Sequence, residues 1–299
     1  MIQLAISTYS LRRWQQEQSR TLEQVLEQIR ALGVAAVEFS GLDEAAGAIG
    51  HVPRAEQLRR HCESLGLAVA GYCVGGELLA PPGEQRKTID RIQRDVDVAA
   101  ALGARTMRHD VTRGWDASPH AKSISGARTF LTAVKIIAPA VREIAEYAAE
   151  RSIVTSLENH GFYMQASLRV ERFIRAVNHP NFRLTMDMGN FLCVNENPVH
   201  AVRRLAKRAV MVHVKDFHVK RKAAAPTFGW FATPTAIALR GAIVGHGAID
   251  IPTQLKLLRR AKYTGYLSLE FEGIEEPVQG IKLGLEYLRD QCAATGIEL

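Results

Sequence analysis

The sequence has no apolar run long enough to cross a membrane, since nowhere do about eighteen uncharged apolar residues follow one another. Its first residues, MIQLAISTYS, lack the basic segment and the long apolar stretch of a secretory signal. The four cysteines, Cys62, Cys73, Cys193 and Cys292, form no C-x-x-C pair. We therefore expect a soluble protein of the reducing cytoplasm with no membrane partner.

Glycine-rich phosphate-binding loops are also missing. Neither G-x-G-x-x-G nor G-x-x-x-x-G-K occurs at the first turn of the chain, which argues against a doubly wound open sheet. No linker rich in proline, glycine or serine divides the chain. Two domains joined by a flexible segment are therefore not indicated.

Acidic residues are slightly outnumbered, with 38 Lys and Arg against 31 Asp and Glu, so the formal net charge is +7. The basic residues are spread over many helical segments, and the charge therefore does not favour nucleic acid as a partner. The densest basic group follows a candidate strand and is typical of a solvated loop; it comprises Lys215, Lys220, Arg221 and Lys222.

Short runs rich in valine, isoleucine and leucine recur eight times and predict strands. They lie near residues 2–7, 34–39, 67–73, 104–109, 153–158, 183–187, 209–214 and 266–270. Amphipathic stretches with helical spacing separate them, and Gly33, Gly66 and Gly103 each follow such a stretch where a left-handed residue ends a helix. The pattern predicts one α/β domain over residues 1–299, a single (β/α)8 TIM barrel with long loops after strands four and seven.

Four polar residues stand at the downstream ends of the last four predicted strands: Glu158, Asp187, His213 and Glu270. In a parallel barrel these ends share one mouth, so the four side chains are expected to converge. Singly, each could cap a helix, pair with a lysine or serve packing, but together they are buried charges that need a metal or pairing. Three carboxylates and an imidazole favour one Mn²⁺ or Mg²⁺ ion, with Co²⁺ or Zn²⁺ also compatible.

The segments LENHG, MDMGN, HVKD and LSLE around these residues resemble the xylose isomerase-like superfamily of sugar phosphate isomerases and epimerases. The resemblance runs from ISTYS to VGHGAID. It implies that the four residues are the metal ligands of a site like that of the ketose 3-epimerases. It also implies that Glu158 and Glu270 carry protons on opposite sides of a sugar, so a divalent-metal-dependent isomerase or epimerase acting through an enediolate is the first hypothesis.

Further residues near the predicted mouth are candidates for substrate binding. His160 follows Glu158 by two positions and can donate to a substrate oxygen, whereas backbone bonding is its ordinary role. Asn190 stands where the epimerase-like relatives often carry a histidine. Lys215 is expected to reach an anionic or hydroxyl group with Asp216 orienting it, although neighbouring charges of this kind also form plain salt bridges.

Arg108 and His109 end the fourth predicted strand, and whichever side chain points inward is expected to touch substrate. His218 lies in the long loop after strand seven and is a candidate for a lid over the site. Tyr9, Trp14 and Tyr72 are candidates for an apolar wall, a role less common for aromatic residues than core packing.

Three other functions stay open. A metal-dependent lyase or dehydratase would use the same proton abstraction but end in β-elimination from an inosose, dehydroshikimate or 3-keto glycoside. A nuclease resembling endonuclease IV would need three metals and more histidines, and Asn190 replaces one of them. A barrel that binds a sugar without catalysis is the third alternative. The sequence leaves open whether the carbohydrate substrate is phosphorylated and whether the protein is a homo-oligomer.

Overall fold

The computed structural model describes residues 1–43 and 45–299. Its strands are β1 (Ile2–Ser7), β2 (Ala36–Ser40), β3 (Ala68–Val74), β4 (Thr106–His109), β5 (Val154–Glu158), β6 (Phe182–Asp187), β7 (Ala209–Val214), β8 (Asp216–Arg221), β9 (Phe231–Ala232), β10 (Ile237–Ala242) and β11 (Gly265–Leu269). Its helices are α1 (Arg12–Glu17), α2 (Leu22–Ala31), α3 (Ala45–Ile49), α4 (His51–Leu65), α5 (Pro82–Leu102), α6 (Phe130–Ala149), α7 (Ser167–Val177), α8 (Pro198–Leu205), α9 (Ile251–Arg260) and α10 (Pro277–Ala294).

Eight parallel strands close into a barrel in the order β1-β11-β7-β6-β5-β4-β3-β2. Each strand predicted from the sequence overlaps one of these eight, with bounds that agree within two residues. Gly66 and Gly103 end α4 and α5 in the left-handed conformation, as their positions after the amphipathic stretches predict. The predicted (β/α)8 barrel is confirmed.

The lower interior of the barrel is filled by small side chains around one methionine. Ala5, Ala36, Ala70 and Met211 form a separate buried cluster there. Gly71 on β3 lies so close to β4 that an added Cβ would be 2.9 Å from Thr106 Oγ1. The four strand-end residues lie towards the carboxyl ends of the strands, the end at which barrels of this kind carry their active sites.

Both long loops are present where the sequence predicts them. Residues 110–129 connect β4 to α6, and residues 215–250 connect β7 to α9. The second connection is ordered into an antiparallel sheet of order β8-β10-β9, and we name this sheet the loop sheet. Within the described parts of the chain, 1–43 and 45–299, no helix is long and apolar enough to span a bilayer.

Candidate functional site

The four strand-end residues meet at the carboxyl end of the barrel. Glu158 and Asp187 are the last residues of β5 and β6, His213 is the next-to-last residue of β7, and Glu270 directly follows β11. Each is no more than 8% exposed, and their ligand atoms lie within 4.8 Å of one another. Asp187 pairs in register with His213 across β6 and β7, so sheet geometry sets their proximity.

Asp187 is held by hydrogen bonds from backbone N–H groups and from the amide of Asn159. Its Oδ1 accepts hydrogen bonds of 2.7 Å from the N–H groups of Gly189 and Asn190. The amide of Asn159 bridges the backbone N–H and C=O of Asp187 at 2.8 and 2.9 Å, which ties the ends of β5 and β6 together. The other carboxylate oxygen, Oδ2, lies 3.3 Å from Lys215 Nζ. Burial raises the pKa of Asp187, and Lys215 opposes that effect.

His213 faces two acids through one ring nitrogen. Its Nδ1 lies 3.2 Å from Glu270 Oε1 and 3.6 Å from Glu158 Oε1. Burial lowers the pKa of His213, but Glu270, Glu38 and Glu158 outweigh it and hold that pKa well above its ordinary value. A cation that binds at Nδ1 must therefore displace a proton.

Two buried polar atoms in this cluster lack hydrogen-bond partners among the described residues: His213 Nδ1 and Asp187 Oδ2. Buried polar atoms without a hydrogen bond are rare in native proteins. Here Asp187 Oδ2 has an ion-pair contact with Lys215, and His213 Nδ1 lies beside two carboxylates. Together with the carboxylates of Glu158 and Glu270 they offer one nitrogen and several oxygens, a donor set that suits a divalent cation. The residues present therefore fit a metal site, and the chemistry of the donors does not choose among Mn²⁺, Mg²⁺, Co²⁺ and Zn²⁺.

Glu158 is oriented by two partners on neighbouring elements. Arg108 Nη2 lies 2.7 Å from Oε2, and Asn190 Nδ2 donates to Oε1 at 3.0 Å. Burial would raise the pKa of Glu158, but Arg108 and His213 hold it well below the usual range. Glu158 is therefore an ionised carboxylate with a fixed direction.

Lys215 places an ammonium group among three carboxylates. Its Nζ lies 2.8 Å from Glu270 Oε2 and 3.3 Å from both Asp187 Oδ2 and Glu272 Oε1. The residue is only 4% exposed. Its charge compensates the acids and is available to any negative charge that develops on a bound substrate.

A cavity of about 210 Å³ opens above these groups. Its lining consists of Tyr9, Ser40, Cys73, Arg108, Asp110, Glu158, His160, His213, Lys215, Glu270 and Glu272. His160 is half-exposed, with Nδ1 3.7 Å from Asp110 Oδ1. Asp110 raises the pKa of His160 while burial opposes this, so the imidazole favours its protonated form more than an ordinary histidine does.

Arg108 and His109 end β4, and the sequence alone does not decide which of the two faces the cavity. Arg108 points into the cavity, whereas His109 points outward and is fully buried, with its ring centroid 6.1 Å from that of Phe182. Burial lowers the pKa of His109 to about 4. Of these two candidates for substrate binding, His109 is therefore the one that does not face the cavity, because its side chain lies on the opposite face of the strand.

Asp216 is also misplaced by the sequence prediction. Its Oδ1 accepts from the N–H groups of Phe217 and Ile249 at 2.8 and 3.1 Å, and its Oδ2 from those of Gly245 and Gly247 at 3.0 and 2.8 Å. With four donors bound, this carboxylate fastens the two ends of the loop-sheet connection. It neither orients Lys215 nor faces the cavity.

The remaining candidates differ in their distance from the cavity. His218 lies on β8, opposite Arg240 of β10, outside the cavity lining, so direct substrate contact is not supported there. Asn190 is 3% exposed and contacts Glu158, so it supports that carboxylate from outside the cavity lining. Trp14 and Tyr72 are buried in the main core, and of the three aromatic candidates Tyr9 alone lines the cavity.

Sequence reasoning missed Glu38, Cys73 and Asp110. Glu38 lies inside β2 and bonds to His213 at 2.9 Å, while Cys73 and Asp110 line the cavity. Glu38 carries the signal that identified the other acids, a single carboxylate in an apolar run, VAAVEFSG. Its partner could not be inferred because the two residues are 175 positions apart.

The chain resembles several known proteins. It is 28% identical over 161 residues to the rhizopine catabolism protein MocC of Rhizobium meliloti, a match that covers 52% of this chain and 49% of that protein. The chain thus spans about half the length of this curated relative.

Solved structures are similar over nearly the whole chain at low identity. An L-ribulose 3-epimerase superposes with a TM-score of 0.73 at 17% identity, covering 99% of this chain and 96% of that one. The probable 3-DHS dehydratase AsbF of Bacillus anthracis gives 0.73 at 14% identity, with coverages of 96% and 98%. The IolI protein with a bound zinc atom gives 0.74 at 14% identity, with coverages of 98% and 99%.

At these identities the structural likeness shows the shared fold. Family membership rests on a separate match, because the family model described as "Xylose isomerase-like TIM barrel" aligns with residues 26–291. That range covers most of the sequence and contains all four strand-end residues. The chain belongs to the xylose isomerase-like TIM barrel family.

Proposed function

We propose that this protein is a divalent-metal-dependent isomerase or epimerase that acts on a ketose, keto-sugar or sugar phosphate by proton abstraction through an enediolate. The observation that carries the proposal is the buried cluster of Glu158, Asp187, His213 and Glu270. Among the described residues, one atom of Asp187 and one of His213 in this cluster form no hydrogen bond. A divalent ion held there would polarise a substrate carbonyl and acidify the adjacent C–H group.

The protein supplies two carboxylates that can move protons from different sides. Glu158 ends β5 and Glu270 follows β11, and β6 and β7 lie between these strands in the barrel. Glu158 is aligned by Arg108 and Glu270 by Lys215, so each base has its own cationic partner. In the proposed reaction one of these carboxylates accepts the C–H proton, and the other returns it on the opposite face.

Replacing Glu158 with glutamine tests this role. With a panel of ketoses and 3-keto sugars in deuterium oxide, the wild-type protein is expected to exchange a substrate C–H for deuterium, and E158Q is expected to lose that exchange while keeping the circular dichroism of the fold. Glu150→Gln is a matched control because Glu150 lies on the surface with 77% of its side chain exposed. Equal exchange rates in E158Q and E150Q would contradict the assignment of Glu158 as a base.

One observation favours a lyase as the second candidate. His160 lines the same cavity, and Asp110 raises its pKa, so the imidazole can donate a proton to a departing oxygen. In that reaction the same C–H abstraction ends in β-elimination. Formation of an unsaturated product without an isomeric sugar, followed by absorbance and mass spectrometry, would favour the lyase.

A further inference from the structure

One carboxylate next to the candidate metal site does not line the cavity. Glu38 on β2 is 1% exposed, and its Oε1 lies 2.9 Å from Nε2 of His213, which is equally buried. The contact crosses the barrel interior, because β11 and β1 lie between β7 and β2 in the barrel order. The two nitrogens of His213 therefore face different partners: Nε2 meets Glu38, and Nδ1 meets the cluster.

Glu38 is surrounded by hydrogen donors. Ser268 Oγ donates to Oε2 at 2.7 Å, and Cys73 Sγ donates to Oε1 at 3.3 Å, in addition to the contact with His213. Within the described ranges 1–43 and 45–299, no lysine or arginine forms an ion pair with Glu38. Three donors from three other strands thus hold the carboxylate in one orientation.

The direction of the Glu38 contact decides which ring nitrogen is available to a cation. A carboxylate only accepts, so the nitrogen that faces it must carry hydrogen. When His213 serves as a neutral ligand it has one ring proton, and Glu38 keeps that proton on Nε2. The lone pair is then left on Nδ1, the atom that lies beside Glu158 and Glu270.

We propose that Glu38 is a positioning residue that fixes the tautomer and ring direction of His213 and thereby strengthens the binding of a divalent cation at Nδ1. The proposal rests on the metal site of the proposed function. Ser268 and Cys73 act one step further out, since their hydrogen bonds fix Glu38 itself. Such outer partners of metal-bound histidines typically change metal affinity about 10- to 100-fold.

The same atoms admit a different assignment, which the test must separate. Glu38, Cys73 and His213 also bring potential ligand atoms within 4.8 Å of one another, so a second cation could be imagined there. The contacts of Glu38 argue against it, because a hydroxyl, a thiol and a ring N–H all direct hydrogens at the carboxylate. A cation would have to displace these hydrogens.

Isothermal titration calorimetry of the metal-free protein with Mn²⁺ is the first measurement. We expect one ion per chain, with binding about 10- to 100-fold weaker in E38Q than in wild type. E150Q is the matched control and is expected to bind as wild type does. Glu38→Asp keeps the charge but shortens its reach, so an intermediate affinity is expected, and E38D carries the test if E38Q fails to fold by circular dichroism.

Proton NMR of the metal-free protein separates this proposal from the metal site itself. The Nε2–H proton of His213, identified by its absence in H213Q, is expected strongly downfield in wild type and shifted upfield in E38Q. If Mn²⁺ fails to bind wild type but the resonance behaves in this way, the proposed metal function fails and the orientation by Glu38 stands. Unchanged Mn²⁺ affinity in a folded E38Q, or loss of a second bound ion in Cys73→Ser, would overturn the proposal.

Discussion

Replacing Lys215 with methionine is expected to destabilise the protein when no divalent cation is bound. The ammonium group is buried and lies within 3.3 Å of oxygens from Asp187, Glu270 and Glu272. Methionine preserves much of the volume but removes the charge, so the three carboxylates lose the cation that compensates them. Removal of one partner from a buried ion pair generally costs about 3–5 kcal/mol because the remaining charge stays desolvated.

The expected change in melting temperature follows from the size of the protein. Unfolding entropies of about 2.1 cal/mol/K per residue give roughly 0.6 kcal/mol/K for 299 residues. A loss of about 3–5 kcal/mol therefore lowers the melting temperature by about 5–8 °C. Mn²⁺ is expected to restore part of the loss, since its charge would compensate the same carboxylates.

Differential scanning calorimetry in EDTA measures the effect directly. Lys87→Met is the matched control because Lys87 is 75% exposed and pairs with Glu84 on the surface, where ion pairs contribute about 0–1 kcal/mol. We expect K87M to melt within about 1–2 °C of wild type. If K215M melts as K87M does, Lys215 does not compensate the carboxylates and the electrostatic description of the site is wrong.

Two further predictions concern residues that the structure moves away from substrate. Burial lowers the pKa of His109 to about 4 in the folded protein, below its unfolded value of about 6.5, so the unfolded state binds the proton first. The free energy of unfolding that neutral His109 contributes is therefore lost as the pH falls from about 6.5 to 4. Urea unfolding is expected to show that the wild-type free energy falls by about 1.4 kcal/mol per pH unit more than that of His109→Gln, and parallel profiles would contradict this. Asp216→Ala leaves four backbone donors without their acceptor and is expected to cost about 2–4 kcal/mol, with faster hydrogen exchange at Gly245 and Gly247; unchanged exchange would refute the anchor.

The positions of the four strand-end residues could be predicted because the strands of a parallel barrel all end at the same rim. Residues at these ends are therefore close in space although they are far apart in the sequence. Glu158 and Asp187 are 29 positions apart in the sequence, yet β5 and β6 are hydrogen-bonded neighbours. Once the strands are assigned, convergence follows from alternation and parallel direction alone. The roles of these residues as ligands and bases stay predictions.

Side-chain direction could not be predicted where a strand is short or ends in a turn. Arg108 and His109 are adjacent, and a shift of one residue in the strand exchanges their faces. Asp216 illustrates a different limit, because its four donors come from both its immediate neighbour and a segment about 30 positions away. The contact between Glu38 and His213 could be predicted only by knowing which strand faces β7 across the barrel interior.

The contacts of Asp216 also fix the points at which the chain leaves the barrel for the loop sheet and returns to it. One carboxylate holds Phe217 on the outgoing side and Gly245, Gly247 and Ile249 on the returning side, and an added Cβ at Gly247 would lie 2.1 Å from that carboxylate. Both ends of the connection that carries the loop sheet are therefore held by the same carboxylate. We therefore expect changes of length or sequence between these ends to leave the register of the strand that carries His213 unchanged.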